Sequence, residues 1–383
     1  MGFGEALAAP EVAASLLAAG CRVTSFQRRG RKIPLRRMRG VQLVEVAAPE
    51  QDAAACAREV AAAAGAHDVT MPLDDAALLL CDRALGADAP VAGPRGPQAR
   101  LALDKRQQLR AAAAAGFEVP AWVEIGPGTG LPEGWELPAM LKPALAAEEV
   151  AGGLRRLSPR LIASPADLEE LRRSWGPATP MILQAWVSGE GRGVFGLADG
   201  GEVHHLSAHR RVRMMNPAGS GSSACASAPV EEALRGPVAR LMQAAGWDGM
   251  FMVELLHADG RWWFVELNGR PWGSLALARR LGYEYPAWAV ARVLDATVSL
   301  PAAPSFAELQ CRHLGRELVH LLFVLRGRGS YAGAWPGRRE TLRALLRRGR
   351  RTSWYNLSPG MRGVFLEDAW RTVLDQTWRS RRS

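Results

Sequence analysis

Two apolar runs, Met250–Leu255 and Trp262–Leu267, stand either side of His257-Ala-Asp-Gly260, and each carries a glutamate within it. Short runs rich in Phe, Trp and Val, joined through Asp-Gly, predict an antiparallel hairpin. Alternate residues of a strand share a face, so Glu266 and Asn268 point the same way. A turn at Ala258–Gly260 brings Glu254 to about their height on the neighbouring strand. Two carboxylates and an amide oxygen converging suit a hard cation such as Mg²⁺, usually held by one or two carboxylates plus the phosphates of a substrate. The contrary expectation is a surface hairpin with solvated acids. It sits poorly with the flanks FMVELL and WFVELN, where an unpaired carboxylate is costly to bury.

Upstream, strand-like and Ala-rich segments alternate. Helices are expected over 9–19, 51–64 and 74–85, with strands at Val23–Phe26, Val41–Val46 and Val69–Pro72. Such alternation implies a parallel sheet. The chain opens Gly2-Phe3-Gly4 straight into a helix, whereas a glycine loop of that kind normally follows a strand. Either that strand is absent or the start lies too far downstream. Val91–Pro97 is turn-rich and marks a boundary. After it come a helix over 101–115, strands at Ala121–Ile125, Pro138–Pro143 and Met181–Val187, and helices over 165–174, 274–281 and 286–294. Pro301-Ala-Ala-Pro304 reads as a linker, and beyond it 305–326, 338–348 and 364–378 read as amphipathic helices.

The formal charge of +10 lies entirely beyond residue 304: Ser305–Ser383 holds 16 Arg, no Lys and six acids, while 1–304 balances to zero. A uniformly basic chain would suggest nucleic acid or an anionic membrane; this distribution confines the question to the C-terminal segment. Its aromatics Trp335, Trp354, Tyr355, Trp370 and Trp378 could stack bases, but their spacing fits buried helix faces better. Only three of the 48 bases are lysines, namely Lys32, Lys105 and Lys142. Lys is a compact point charge and Arg a planar fork, so a surviving Lys marks a place where Arg would not serve. Five cysteines, odd in number and far apart, argue against a disulfide framework or a zinc site and suit a reducing compartment. No apolar run approaches ~20 residues; with a poor signal-peptide start, a soluble cytoplasmic protein is expected, without a membrane partner.

The ordered set Asp104-Lys105, Leu141-Lys142-Pro143, Gln184-Ala-Trp-Val187-Ser-Gly-Glu190, Glu254 and Glu266-Leu-Asn268-Gly-Arg270 resembles the ATP-grasp superfamily over about residues 98–298. It is most similar to the branch of carbamoyl-phosphate synthase and D-alanine ligase domains. The resemblance implies α/β and α+β architecture. It divides the chain into an N-terminal parallel-sheet domain preceding the grasp (1–95), an ATP-grasp domain (98–298) and a basic helical C-terminal extension (305–383). The ATP-grasp domain would itself have subdomains at about 98–178 and 179–298.

It further implies that Lys105 and Lys142 reach nucleotide phosphates and that the backbone of Gln184–Val187 pairs with the adenine edge, with Trp186 or Val187 packing nearby. The family often has Glu where Gln184 stands. Glu190 resembles the acid that binds the ribose, and Ala144–Leu157 sits where the family has a flap over the phosphates. Glu254, Glu266 and Asn268 would hold Mg²⁺, with Mn²⁺ as a substitute. His209-Arg-Arg-Val-Arg213, followed by a Gly/Ser loop at 219–223, matches a basic strand near the acceptor substrate; Arg211 or Arg213 should face inward. Arg270 is placed to stabilise charge developing on a transferred phosphoryl group or tetrahedral oxyanion. His209 reads as an acid/base or as a structural histidine.

The expected activity is an ATP-dependent ligase joining a small-molecule carboxylate to an amine through an acyl phosphate, in a chain that could form homo-oligomers. The alternative is an ATP-grasp-like nucleotide-binding module whose Arg-rich tail binds nucleic acid or an acidic partner.

Overall fold

The computed structural model describes residues 1–126, 129–175, 179–328, 334–347, 349 and 351–379, the side chains of 172 and 377–379 excepted. The first part is a parallel α/β layer made of α1 (Ala9–Ala18), β1 (Val23–Arg28), β2 (Val41–Val46), α2 (Ala53–Ala64) and α3 (Asp75–Ala84). β1 and β2 pair in parallel. Gly2 bridges in parallel to both Phe26 and Pro72, so Met1–Phe3 occupy the strand position that normally precedes a glycine loop. Asp52 and Asp74 start α2 and α3 by accepting from Ala55 N and Ala77 N at 2.8 Å each.

The helix expected over 101–115 is two, α4 (Gly96–Leu103) and α5 (Lys105–Ala114). Asp104 is extended between them. It bridges Leu145, its carboxylate accepts from Arg106 N at 2.9 Å, and Lys105 N donates to Ala144 O at 2.8 Å. This long-range pairing overrides local helix propensity and sets Lys105 in the first turn of a fresh helix.

Next come β3 (Trp122–Ile125), β4 (Ala139–Pro143), β5 (Glu148–Val150), β6 (Gly153–Arg155), β7 (Arg160–Ile162), α6 (Pro165–Trp175) and β8 (Met181–Ala185). They form a small sheet in the order β3-β8-β4-β7 with its own core around Ile125, Leu141, Leu168 and Leu183. The segment expected as a flap is the hairpin β5–β6, docked on the N-terminal layer. Ala53 N donates to Gly152 O at 2.8 Å, Glu149 pairs with Arg83 at 2.8 Å, and Leu154 enters the core of that layer. Gly153 cannot be replaced freely, because a Cβ there would lie 2.4 Å from Glu50 O.

The large sheet follows with β9 (Glu190–Asp199), β10 (Glu202–Met214), β11 (Ser222–Ala228), α7 (Glu232–Ala245), β12 (Gly249–Ala258), β13 (Arg261–Asn268), α8 (Leu275–Arg280), α9 (Tyr285–Leu294), β14 (Gln310–Arg312), α10 (Leu314–Arg326), α11 (Arg338–Leu346), β15 (Thr352–Trp354) and α12 (Arg362–Arg379). The strand order is β13-β12-β9-β10-β11-β14-β15. Along β12 the period-2 alternation is explicit. Phe251, Val253 and Leu255 enter a core with α5 and α7, whereas Met250 and Met252 join one with α1, α8 and α9. Glu254 therefore shares the second face.

The C-terminal segment is mainly helical, but β14 and β15 attach it to the large sheet, so the helix expected from 305 begins at Leu314. Position 348 of the helix expected over 338–348 lies outside the described residues. Of the tail aromatics, Tyr355 is buried, Trp335 and Trp354 are half-buried, Trp370 is 63 % exposed, and the Trp378 side chain lies outside the described residues. Among the described residues no helix is long and apolar enough to cross a membrane.

Candidate functional site

The hairpin places its acids as cross-strand partners: Glu254 faces Glu266, and Met252 faces Asn268. The turn is Asp259-Gly260 with φ of 51° and 73°, the paired left-handed geometry a two-residue hairpin favours. The register passes from Glu254↔Glu266 to Leu255↔Phe264 and skips Val265. That bulge lets Phe264 stay in the core while Glu266 and Asn268 face the opposite side, and bulges of this kind often re-aim side chains beside a site.

This face opens into a cavity of about 440 Å³ lined by Glu254, Glu266, Asn268, Arg211, Arg270 and His209 among others. Arg211 reaches Glu254 from β10 across the whole of β9, with Nη2 to Oε1 at 2.5 Å. Glycine makes the crossing feasible: a Cβ on Gly191 would lie 2.5 Å from Arg211 Cδ. Gly193 likewise leaves room for His209, whose Nε2 would lie 3.0 Å from a Cβ there.

His209 is a buried, neutral group. Its Nδ1 lies 2.8 Å from Ser274 Oγ, and Nε2 has no partner among the described residues. Burial, with repulsion from Arg211 and Arg192, pushes its imidazole down to about 3.

Arg270, just past β13, is fixed by Asp75 at 2.8 Å, and Arg156 from the segment after β6 takes the same carboxylate at 2.5 Å. Burial works against ionisation of Asp75, but Arg270 and Arg156 hold the carboxyl at about 2. Neither Asp75 nor Arg156 is indicated by any local motif; Asp75 follows the Asp74 cap and reads only as helix.

Behind Glu266 lie the two lysines. Lys105 Nζ is 3.9 Å from Glu266, and Lys142 Nζ donates to Gln184 Oε1 at 2.6 Å. Both lysines and Gln184 are buried. Burial pushes the Lys142 ammonium down to about 8 against the attraction of Glu266, with Lys105 repelling it as well. Gln184 spends its oxygen on Lys142 and leaves Nε2 buried without a partner, an unmet donor beside two cations. A ligand bearing phosphates and a ring acceptor would satisfy all three.

Trp186, at 39 % exposure, and the half-buried Val187 lie in the link between β8 and β9, where the small sheet hands over to the large one. Glu190 begins β9 and is engaged by Arg192 at 2.6 Å and Arg210 at 3.8 Å. It does not line the cavity.

Arg213 is a correction to the inward placement. A register shift at Val212 breaks the alternation that would put Arg211 and Arg213 on one face, and Arg213 turns to Glu317 on α10 at 2.7 Å.

Among the described residues no group of three or more His, Cys, Asp or Glu could hold a metal unaided. The set present is two carboxylates and an amide oxygen with basic groups beside them, which fits Mg²⁺ shared with the phosphates of a ligand.

No protein-family model matches the chain. No curated protein sequence matches it either. Solved structures do. An L-amino acid ligase from Bacillus licheniformis aligns with a TM-score of 0.59 at 20% identity over 75% of this chain and 71% of its own. N5-carboxyaminoimidazole synthetase from Staphylococcus aureus gives 0.61 at 14% identity over 82% of each chain. Biotin carboxylase from Campylobacter jejuni, in a complex with β,γ-ATP, gives 0.59 at 16% identity over 78% and 70%. The chain has the ATP-grasp fold.

Proposed function

We propose that this ATP-grasp chain is an ATP-dependent carboxylate–amine ligase. The observation that carries the reading is the convergence of Glu254, Glu266 and Asn268 on one sheet face with the buried pair Lys105 and Lys142 behind them. The structural relatives, which include an L-amino acid ligase, support the same reaction class.

ATP is a substrate in this scheme. An oxygen of the carboxylate substrate attacks the γ-phosphorus, the bond to the β-bridging oxygen breaks, and ADP leaves. The acyl phosphate is then attacked at its carbonyl carbon by a neutral amine. Inorganic phosphate departs carrying the carboxylate oxygen, and the amine loses a proton as the amide forms.

Lys105 and Lys142 bind the phosphates as point charges, and Gln184 offers its free Nε2 to the base. Glu254, Glu266 and Asn268 would hold Mg²⁺, which when bound would neutralise phosphate charge. Arg270, held still by Asp75, presents a fixed guanidinium to the oxyanion that develops at phosphorus or carbon. The docked β5–β6 hairpin delivers Arg156, just after it, to the cavity wall, and exclusion of water would protect an acyl phosphate.

Purified chain incubated with Mg·ATP and pools of carboxylates and amines is expected to release ADP for particular pairs, with Glu266→Ala silent. No ADP release, together with no nucleotide binding, would defeat the reading.

A further inference from the structure

Arg316 belongs to the first turn of α10, in the C-terminal segment beyond the motifs that define the nucleotide site. It lies on the wall between the cavity already described and a larger one of about 860 Å³, bounded by the Gly30–Pro34 loop and α12. Among the described residues its guanidinium makes a single hydrogen bond, from Nη1 to Ser222 O at 3.0 Å. Among the described residues no carboxylate lies within ion-pair distance of it, whereas every other guanidinium of these walls, the exposed Arg31 apart, is matched. Arg28 has Glu50 at 2.7 Å, Arg156 has Asp75 at 2.5 Å, Arg211 has Glu254 at 2.5 Å and Arg270 has Asp75 at 2.8 Å. Asp368, the acid facing it from α12, already takes His313 Nε2 at 2.8 Å and Asn356 Nδ2 at 2.7 Å.

The side chain is nonetheless carefully placed. His313 caps α10, with Nδ1 accepting from Arg316 N at 3.3 Å, and its other nitrogen is tied to Asp368. Gly221 clears the space beside it, since a Cβ there would lie 2.7 Å from Arg316 Nη1. Burial, outweighing the attraction of the more distant Asp368, disfavours the charged guanidinium. A fork so held is matched by an oxyanion that accepts two parallel hydrogen bonds.

We propose that Arg316 is a binding residue for an oxyanion, a carboxylate or a phosphate, carried by a substrate that spans the two cavities. Assigning the oxyanion to a substrate rests on the ligase reading; the oxyanion site itself rests on the placement of Arg316.

The test uses the full chain as wild type, Arg316→Gln, Arg316→Lys and Gly221→Ala, each checked for an unchanged melting profile. The probes are N-acetylglycine, its uncharged counterpart N-acetylglycinamide, and inorganic phosphate, followed by ligand-observed NMR; the Kd for Mg·ADP is measured separately. The wild type is expected to bind an anionic probe and not the amide. Arg316→Gln should weaken the anion at least tenfold, with Arg316→Lys and Gly221→Ala between the two and Mg·ADP affinity changed less than twofold. Preference for N-acetylglycine identifies a free carboxylate and preference for phosphate a phosphorylated substrate; either supports the site. Equal anion binding by wild type and Arg316→Gln, including none by either, overturns it. If Mg·ADP fails to bind the wild type while the anion result holds, the ligase reading falls and the oxyanion site stands.

Discussion

Behind Glu266, outside the cavity lining, stands a lysine wall, and along the cavity stands an arginine wall; the two hold their cationic side chains by different means. On the lysine wall, Lys142 is buried against a neutral amide, and the nearest acid to Lys105 stands at 3.9 Å. On the arginine wall, Arg211 and Arg270 are locked by Glu254 and Asp75 at 2.5 and 2.8 Å. The first wall stores charge that is only partly compensated, which lowers stability until an anionic ligand arrives. The second pairs its guanidiniums with carboxylates of its own and is rigid. Lysine can shed its proton near physiological pH when buried, and arginine cannot. The lysine wall should therefore respond to pH and to nucleotide, and the arginine wall to neither.

The sharpest way to break the contrast is at Glu266, which lies 3.9 Å from Lys105 and lines the cavity. Glu266→Ala is expected to lower ADP release by ~10³-fold or more, since a lost metal ligand removes several kcal/mol of charge stabilisation; steady-state kinetics checks this.

Next is Lys142→Met, expected to cost ~10²-fold in kcat/KM, the scale of one preorganised donor. The same change should raise the melting temperature of the nucleotide-free chain. A folded-state value of about 8 against the ordinary 10.5 means burial of the ammonium costs on the order of 3 kcal/mol at neutral pH, offset by ~1 kcal/mol for the hydrogen bond to Gln184. Calorimetric melting reads the balance.

On the other wall, Asp75→Asn frees Arg270 and Arg156 together. About 2 kcal/mol of stability and ~10-fold in turnover should be lost, with nucleotide affinity nearly unchanged. Melting and nucleotide titration separate the two effects.

The smallest effect is in pH. Because the folded value for Lys142 lies below the unfolded one, the unfolded chain binds more protons between about pH 8 and 10.5, so stability rises across that window. Nucleotide affinity should move the opposite way, falling by up to about tenfold per unit above pH 8, with proton uptake on binding. Calorimetry in buffers of different ionisation enthalpy detects that uptake, and Lys142→Arg should abolish it.

The two walls also differed in how far they could be read from the chain. Lys105, Lys142, Glu254, Glu266 and Asn268 stand in short local patterns, and strand period with an Asp-Gly turn sufficed to bring the acids together. Two bulges were not legible, since nothing local distinguishes Val212 or Val265 from ordinary strand residues. The first turned Arg213 away to Glu317, and the second allowed Glu266 to keep its face. The break at Asp104 was hidden by good helix formers on both sides and depends on Leu145 in the link between β4 and β5. Asp75, Arg156 and Arg316 arrive from three separate parts of the chain, and only tertiary packing joins them to the cavity. The basic C-terminal segment is likewise more than surface charge: Arg312 and Arg213 converge on the buried Glu317, and β14 extends the large sheet.

The most direct measurement follows an oxygen atom. With a carboxylate and amine pair that elicits ADP release, the carboxylate is labelled with ¹⁸O and the inorganic phosphate is analysed by mass spectrometry. Attack of the carboxylate on the γ-phosphorus requires one labelled oxygen in each phosphate formed. Unlabelled phosphate, or release of AMP and pyrophosphate in place of ADP, would contradict the acyl-phosphate ligase mechanism.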